Sequence, residues 1–329
     1  MSSPSDLWHA ARNPPANPTH LSFHNKAVLV TGANSGLGHA SAIKYASLGA
    51  NPLILAVRTQ EKGNQAKSSI IQATNCSPDI FLIETLELTN FASVQKFASR
   101  LNSSVPKLHV AQLVAGVSPP TYKKTDEGYE ESTQVSVLST ALLAILLLPK
   151  LRETARAEGE PSHLSFVNSI AHLDIKPEWI DTQNGETLLQ RLNSEAKFDQ
   201  TTQYYLVKLA AMFIMRGIID NYARNPKEII INASCPGMCK TNMGRNHPLG
   251  VRIFMFFFYL VLGRSAEAGS RTLVSATGLG EESHGKFWTN DEIMRPSKFM
   301  ESEEGEQLHR ETWNEVLGVL RSHVGDAIP

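Results

Sequence analysis

The sequence predicts an α/β protein built on a doubly wound parallel sheet, and three observations predict it. Short apolar runs alternate along the chain with longer helical patterns, which is what parallel strands joined by crossovers require. The runs are almost wholly apolar rather than alternating, as expected of strands covered on both faces. The first run opens directly into a glycine-rich turn and an amphipathic helix, TGANSGLGHA at residues 31–40. With 329 residues, 42% of them hydrophobic, the chain can bury one large α/β core.

The elements follow in order. KAVLVTG (26–32) is the first strand, and a helix over residues 35–48 has apolar residues three and four apart. PLILAV (52–57) is the second strand, followed by a polar helix over 60–74. DIFLIET (79–85) is the third, and the helix FASVQKFASRL (91–101) sets Val94, Phe97, Ala98 and Leu101 on one face. LHVAQLVAG (108–116) is the fourth, ahead of a long helical stretch over 126–156. HLSFVNS (163–169), EIIINAS (228–234) and GKFW (285–288) complete seven strands, and LAAMFIMRGIIDNYA marks a long buried helix before the sixth. With no repeat, low-complexity tract or linker, the chain reads as a polar arm (1–23) with a short helix near Trp8, then one domain (24–329). That domain is enlarged at 172–203 and 242–300.

Composition excludes several classes. A net charge of −1 offers no broad basic face for nucleic acid. Eleven histidines show no metal-ligand spacing. Cys76, Cys235 and Cys239 are too few and too uneven for a disulfide framework. Cys235 and Cys239 flank PGM with no second ligand pair, so they read as free thiols of a reducing, cytoplasmic compartment, with no metal. The N-terminus lacks the apolar stretch of a signal peptide. VRIFMFFFYLVLG (251–263) holds about a dozen apolar residues where a membrane span needs ~20. It reads as a buried helix or pocket wall, the alternative being a patch at 251–262 that touches a membrane peripherally or admits a greasy substrate.

In a doubly wound sheet the first strand–helix turn faces a crevice where a dinucleotide can lie. Gly32, Gly36 and Gly38 permit the tight turn and close approach of backbone N–H groups to a pyrophosphate, and the helix dipole favours its charge. The second strand ends at Val57 and Arg58, where an acid would favour NAD(H). A cation there can pair with a 2′-phosphate, so NADP(H) is expected.

QYYLVK places Tyr204 and Lys208 four residues apart, on one helix face. An ammonium beside a phenol favours the phenolate and is expected to lower the Tyr204 pKa from ~10, making an acid–base usable near neutral pH. The pair follows the fifth strand, whose C-terminal end carries Ser169 into the crevice of the glycine loop.

Together these residues resemble the short-chain dehydrogenase/reductase family. The resemblance covers residues 24–320 and rests on TGANSGLG, LVAG (113–116), Ser169, the Tyr204–Lys208 pair and PGMCKT (236–241). It is strongest for the longer retinol-dehydrogenase-type and fungal members, whose style SIAH (169–172) and the C-terminal RPSKFMESEEG and LHRETWNE match. The resemblance implies a Rossmann-type oxidoreductase in which Tyr204 moves the proton at the substrate oxygen, Ser169 hydrogen-bonds that oxygen, and Lys208 holds the nicotinamide ribose. It implies further cofactor contacts from Gly32, Asn34, Ser35, Gly36, Leu37 and Gly38, from Glu87 and Leu88 beside the adenine, and from Ala115 and Gly116. Pro236, Gly237 and Thr241 fall at the carboxamide and pyrophosphate end.

Two positions depart from the family pattern. Val114 stands where the family has an Asn that braces the sheet. Ser136, in QVSVLST, stands where a fourth catalytic Asn holds a water through which the Lys passes protons to solvent. The expected function is NADPH-dependent reduction of a carbonyl on a bulky apolar small molecule, or the reverse oxidation, in the manner of fungal natural-product enzymes. The two departures keep open a redox-neutral epimerase, dehydratase or cyclisation catalyst, and a non-catalytic cofactor-binding partner. Trp179 and the Phe-rich run supply aromatic walls for such a substrate. STALLAILLLPKL (139–151) belongs to the helix that pairs subunits in much of the family, which makes a homodimer an option.

Overall fold

The strands of the computed structural model, which describes residues 4–180, 184–240, 250, 258–259, 261–325 and 328, lie in one sheet. In chain order they are β1 (Val28–Thr31), β2 (Leu53–Val57), β3 (Phe81–Thr85), β4 (Val110–Leu113), β5 (Ser162–Val167), β6 (Ile229–Ser234), β7 (Phe287–Thr289) and β8 (Glu292–Met294). Their order across the sheet is β3-β2-β1-β4-β5-β6-β7-β8, parallel except for the antiparallel β7–β8 hairpin. The chain winds outward from β1 to β3, then returns to start again at β4, so the crevice at the switch point opens above the C-terminal ends of β1 and β4.

The apolar strands are covered on both faces, as their composition predicts. Leu29, Ile54 and Ala111 point into one core; Val28, Val30, Leu53 and Val110 point into the other. The first core is covered by α4 (Phe91–Ser104), α5 (Glu131–Glu158), α7 (Gln200–Tyr222) and α9 (Glu303–Val324). The second is covered by α2 (Gly36–Ser47), α3 (Gln60–Thr74) and α8 (Ala266–Ala276). A short α6 (Leu188–Leu192), opened by a Thr187–Gln190 capping box, lies in the first predicted enlargement.

Helix α5 is long and apolar enough to cross a membrane, but most of it is buried here: Ala141, Leu142, Leu147 and Leu151 all pack into this chain's own core. Its first turns widen into a π-turn over Gln134–Leu138, marked by the Thr140 hydroxyl donating to Val135 O at 2.7 Å. Against α7 lies α9. Gly217 makes their approach possible, because a Cβ there would stand 2.3 Å from Trp313 Cδ2. The N-terminal helix α1 (Pro4–Arg12) and the strand-like arm after it are held by cations: Arg264 donates to Ala10 O at 2.7 Å, Arg271 to Pro15 O at 3.1 Å and Lys44 to Asn17 Oδ1 at 2.9 Å.

The strand β8 extends the sheet beyond the seven strands expected. Asn290 and Asp291 both take positive φ, 51° and 60°, as a two-residue hairpin turn demands, and Thr289 pairs with Glu292 across it. The cysteines are free thiols, and burial pushes Cys239 up to about 12, which leaves it inert.

Candidate active site

The site begins at the end of β1. The Thr31 hydroxyl accepts from Val114 N at 2.9 Å and from Ala115 N at 3.0 Å, which ties β1 to the chain leaving β4. This bond braces the backbone of Val114, the position where the family pattern has Asn. Gly32 and Gly36 take φ of +67° and +55°, and a Cβ on Gly38 would fall 2.4 Å from Gly32 O. Ser35 stands at the N-cap of α2 without a side-chain bond to the helix, so the first N–H groups of α2 face the cleft unclaimed by a cap.

That cleft has a volume of about 500 Å³. Gly32, Asn34, Ser35, Gly36, Leu37 and Gly38 line one wall. The ends of β2 and β3 line the floor through Val57, Arg58, Glu87 and Leu88, and Val114, Ala115 and Gly116 line the far wall. Arg58 is exposed, and among the described residues no carboxylate pairs with it. Glu87 turns its carboxylate to Thr89 N at 3.0 Å. Sterically bare glycine backbone at a helix N-terminus, an unpaired cation at the β2 end and a cleft of this size fit a dinucleotide.

The second half of the site lies across Gly116–Pro119, which line both this cleft and a small cavity containing Ser136, Tyr204 and Lys208. Ser169 follows β5 and caps a short 3-10 turn, accepting from Ala171 N at 3.2 Å. It lies close enough to the Tyr204 hydroxyl to favour the phenolate there. Lys208, one turn further along α7, holds Nζ 3.5 Å from Val167 O and 5.7 Å from the centre of the Tyr204 ring. The structure thus brings Ser169, Tyr204 and Lys208 together, with Tyr204 and Lys208 lining the small cavity.

Two neighbours that sequence reasoning missed fix this arrangement. Asn168 donates to Lys208 O at 3.1 Å and accepts from Ser169 N at 2.9 Å, so one amide clasps the end of β5 to α7. His172 Nδ1–H donates to Ser169 O at 2.6 Å, and burial pulls this His down to about 4, so it stays neutral near pH 7. The polar tail of HLSFVNS offered a signal for Asn168: an Asn directly before the candidate Ser.

The electrostatics differ from the expected pattern. Burial pushes Tyr204 up to about 12, although the nearby Ser169 hydroxyl opposes it, and burial pulls Lys208 down to about 8. Among the described residues no carboxylate is placed to balance either group, so desolvation outweighs the mutual attraction expected from their spacing. The ammonium also sits over the Tyr204 ring rather than at its hydroxyl.

Of the PGMCKT segment, Gly237 takes φ +75° and a Cβ there would lie 2.9 Å from Arg264 Nη1. Pro236 O accepts from that same guanidinium at 3.4 Å. These two residues stand outside the walls of the cleft described above, and Thr241 lies outside the described residues. Most of the Phe-rich run, residues 251–257, also lies outside them.

A family model described as short chain dehydrogenase matches residues 26–179. The short-chain dehydrogenase/reductase ffsI of Aspergillus flavipes is 44% identical, over 97% of this chain and 92% of its own length. A solved short-chain dehydrogenase/reductase of Burkholderia phymatum, in complex with NAD, shares the fold with a TM-score of 0.59 at 18% identity, over 82% of this chain and 90% of that one. So does an alcohol dehydrogenase of the archaeon Thermococcus sibiricus complexed with 5-hydroxy-NADP, with a TM-score of 0.59 at 16% identity, over 83% and 100%. The chain belongs to the short-chain dehydrogenase/reductase family, oxidoreductases that bind NAD(P)(H).

Proposed function

We propose that the protein is an NADPH-dependent reductase of a carbonyl on a bulky, apolar small molecule, able to run in reverse as an alcohol dehydrogenase. The observation that carries this reading is Tyr204 and Lys208 lining a small cavity that shares Gly116, Val117, Ser118 and Pro119 with the dinucleotide-sized cleft, with Ser169 beside the Tyr204 hydroxyl. The glycine turn and the α2 N-terminus would hold the pyrophosphate, and Arg58 the 2′-phosphate. When bound, the nicotinamide supplies or accepts the hydride.

Ser169 steadies the substrate oxygen with its hydroxyl. Tyr204 donates its proton to that oxygen during reduction and takes it back during oxidation. A phenol held near 12 is protonated at neutral pH, which suits the donor role. Lys208 stabilises the phenolate left behind. A partly apolar wall beyond Gly116, formed by Val117, Pro119 and Pro120, supports a hydrophobic substrate. The resemblance to fungal members supports a natural-product substrate.

The test is nicotinamide oxidation against a panel of bulky ketones and aldehydes, with Tyr204→Phe alongside. The wild type is expected to consume NADPH and the variant to bind it without turnover. Product formed without any change in nicotinamide absorbance would replace this reading with a redox-neutral one.

A further inference from the structure

Arg264 lies just before α8 and is only 3% exposed. Its backbone is laced to the chain that leaves β6. Arg264 N donates to Met238 O at 2.7 Å and Lys240 N to Arg264 O at 2.9 Å, forming a parallel bridge with Cys239. Its guanidinium then reaches three separate elements. Nε donates to Ala10 O of α1 at 2.7 Å, Nη2 to Asn290 Oδ1 of the β7–β8 turn at 2.7 Å, and Nη1 to Pro236 O at 3.4 Å. All three acceptors are neutral, so burying this charge adds little net stability. What a planar fork adds is three fixed directions.

The turn it holds, Cys235–Gly237, stands between the two halves of the site. On one side is the glycine turn. A Cβ on Gly269 of α8 would lie 3.0 Å from Leu37 Cδ2 and 3.1 Å from Pro236 Cβ, so those two side chains meet at that glycine. Leu37 lines the dinucleotide-sized cleft, and Pro236 therefore backs its wall. On the other side, Cys235 is near enough to Tyr204 and Lys208 to bear on the charge of both. Gly237 takes φ +75° with Arg264 Nη1 where a side chain would begin, so the guanidinium shapes the turn by contact as well as by its bond to Pro236 O.

We infer that Arg264 is a positioning residue for the nicotinamide end of the cofactor, and that the N-terminal arm, through Ala10, belongs to the same support. This rests on reading the cleft as the dinucleotide site with its nicotinamide toward Tyr204. The arm is fastened a second time close by: Arg12 donates to Val261 O at 3.1 Å and lies 4.2 Å over the Trp8 ring. A segment that reads as a loose polar arm thus shares one fastening with the turn between Leu37 and Tyr204. The adenine half of a dinucleotide would lie beside Glu87 and Leu88, where none of the bonds of Arg264 reaches. Loss of the guanidinium should therefore be felt by one half of the cofactor and not by the other.

Two measurements on the full chain test this, and neither needs a substrate. The first is titration of NADPH beside 2′,5′-ADP, which lacks the nicotinamide half, and of NADH beside ADP, with wild type, Arg264→Met and Arg264→Lys. The ratio of affinities within each pair is read whichever nucleotide the chain prefers and whether or not any ketone is turned over, so failure of the reductase reading is told apart from failure here. Arg264→Met is expected to bind NADPH about tenfold more weakly with 2′,5′-ADP changed by less than about twofold, and Arg264→Lys to recover part of the loss. Equal weakening of both members of a pair means a merely structural role and overturns the inference, as does no weakening of either. The second is hydrogen exchange in Arg264→Met. Residues 4–12 and 235–240 are expected to exchange faster together; faster exchange in the turn alone would remove the arm from the support. Should Arg264→Met fail to fold, Asn290→Gly keeps a residue suited to the positive φ and removes one acceptor of the fork. It is expected to move the same ratio by about threefold, and an unmoved ratio there refutes the role of Arg264.

Discussion

Replacing Arg58 by Ala tests the cofactor preference at one residue. Arg58 follows β2 with Val57 before it, lines the cleft beside Glu87 and Leu88, and is exposed with no carboxylate partner among the described residues. Its guanidinium therefore need not abandon an ion pair to reach a 2′-phosphate. A hydrogen bond to a charged group contributes ~1.5–3 kcal/mol, and an exposed position screened by salt belongs at the low end. About 1.5 kcal/mol corresponds to roughly tenfold in Kd. The assay is a fluorescence titration of NADPH and NADH with wild type and Arg58→Ala at low and high salt. NADPH should weaken about tenfold, less at high salt, while NADH should change less than twofold. Equal loss for both nucleotides, or none for either, would refute the assignment of Arg58 to the 2′-phosphate and with it the preference for NADPH.

Two further outcomes follow from the same geometry. In Gly38→Ala the new Cβ meets the Gly32 carbonyl at 2.4 Å, a backbone atom that cannot swing away, so the turn must shift; the expected cost is ~1–3 kcal/mol in urea unfolding together with a ten- to hundredfold loss of nucleotide affinity by titration. Lys208 titrates at about 8 in the folded chain against an ordinary 10.5, so between those values the unfolded chain binds more protons and folding stability rises with pH through that window. Lys208→Met removes this slope and is expected to stabilise the chain by about 2 kcal/mol at neutral pH, once the partial exposure of Lys208 is allowed for, with the advantage fading toward pH 10.5; urea unfolding over that range measures it.

The strands are legible in the sequence because both faces of the sheet are buried, so Leu29, Ile54 and Ala111 had to be as apolar as Val28, Leu53 and Val110. The edge escapes that logic. Glu292, Ile293 and Met294 are exposed, so β8 carries no burial pattern, and its cue is only the Asn290–Asp291 turn. Ser169, Tyr204 and Lys208 are legible as a set because spacing and strand ends locate them. The electrostatic balance between them is not, because burial is contributed by the whole domain and reverses the expected shift of Tyr204. Asn168 is a polar residue at a strand end, common enough to pass unnoticed, and its meaning appears only when the end of β5 meets α7.

The seam between α7 and α9 bears on how the protein is made. Gly217 receives Trp313, Phe213 faces His309 at 5.3 Å between ring centres, and Arg216 pairs with Glu306 at 2.6 Å. Helix α7 ends at Tyr222 and α9 begins at Glu303, so the helix bearing Tyr204 and Lys208 emerges from the ribosome about eighty residues before its cover. At ~5–20 residues per second that interval lasts seconds, far longer than collapse or helix formation. During it the nascent chain presents Phe213 and the notch at Gly217 uncovered, and a message cut short before Glu303 would leave them so. The tail that contributes no group to the chemistry therefore decides when the helix carrying Tyr204 and Lys208 becomes part of a finished molecule.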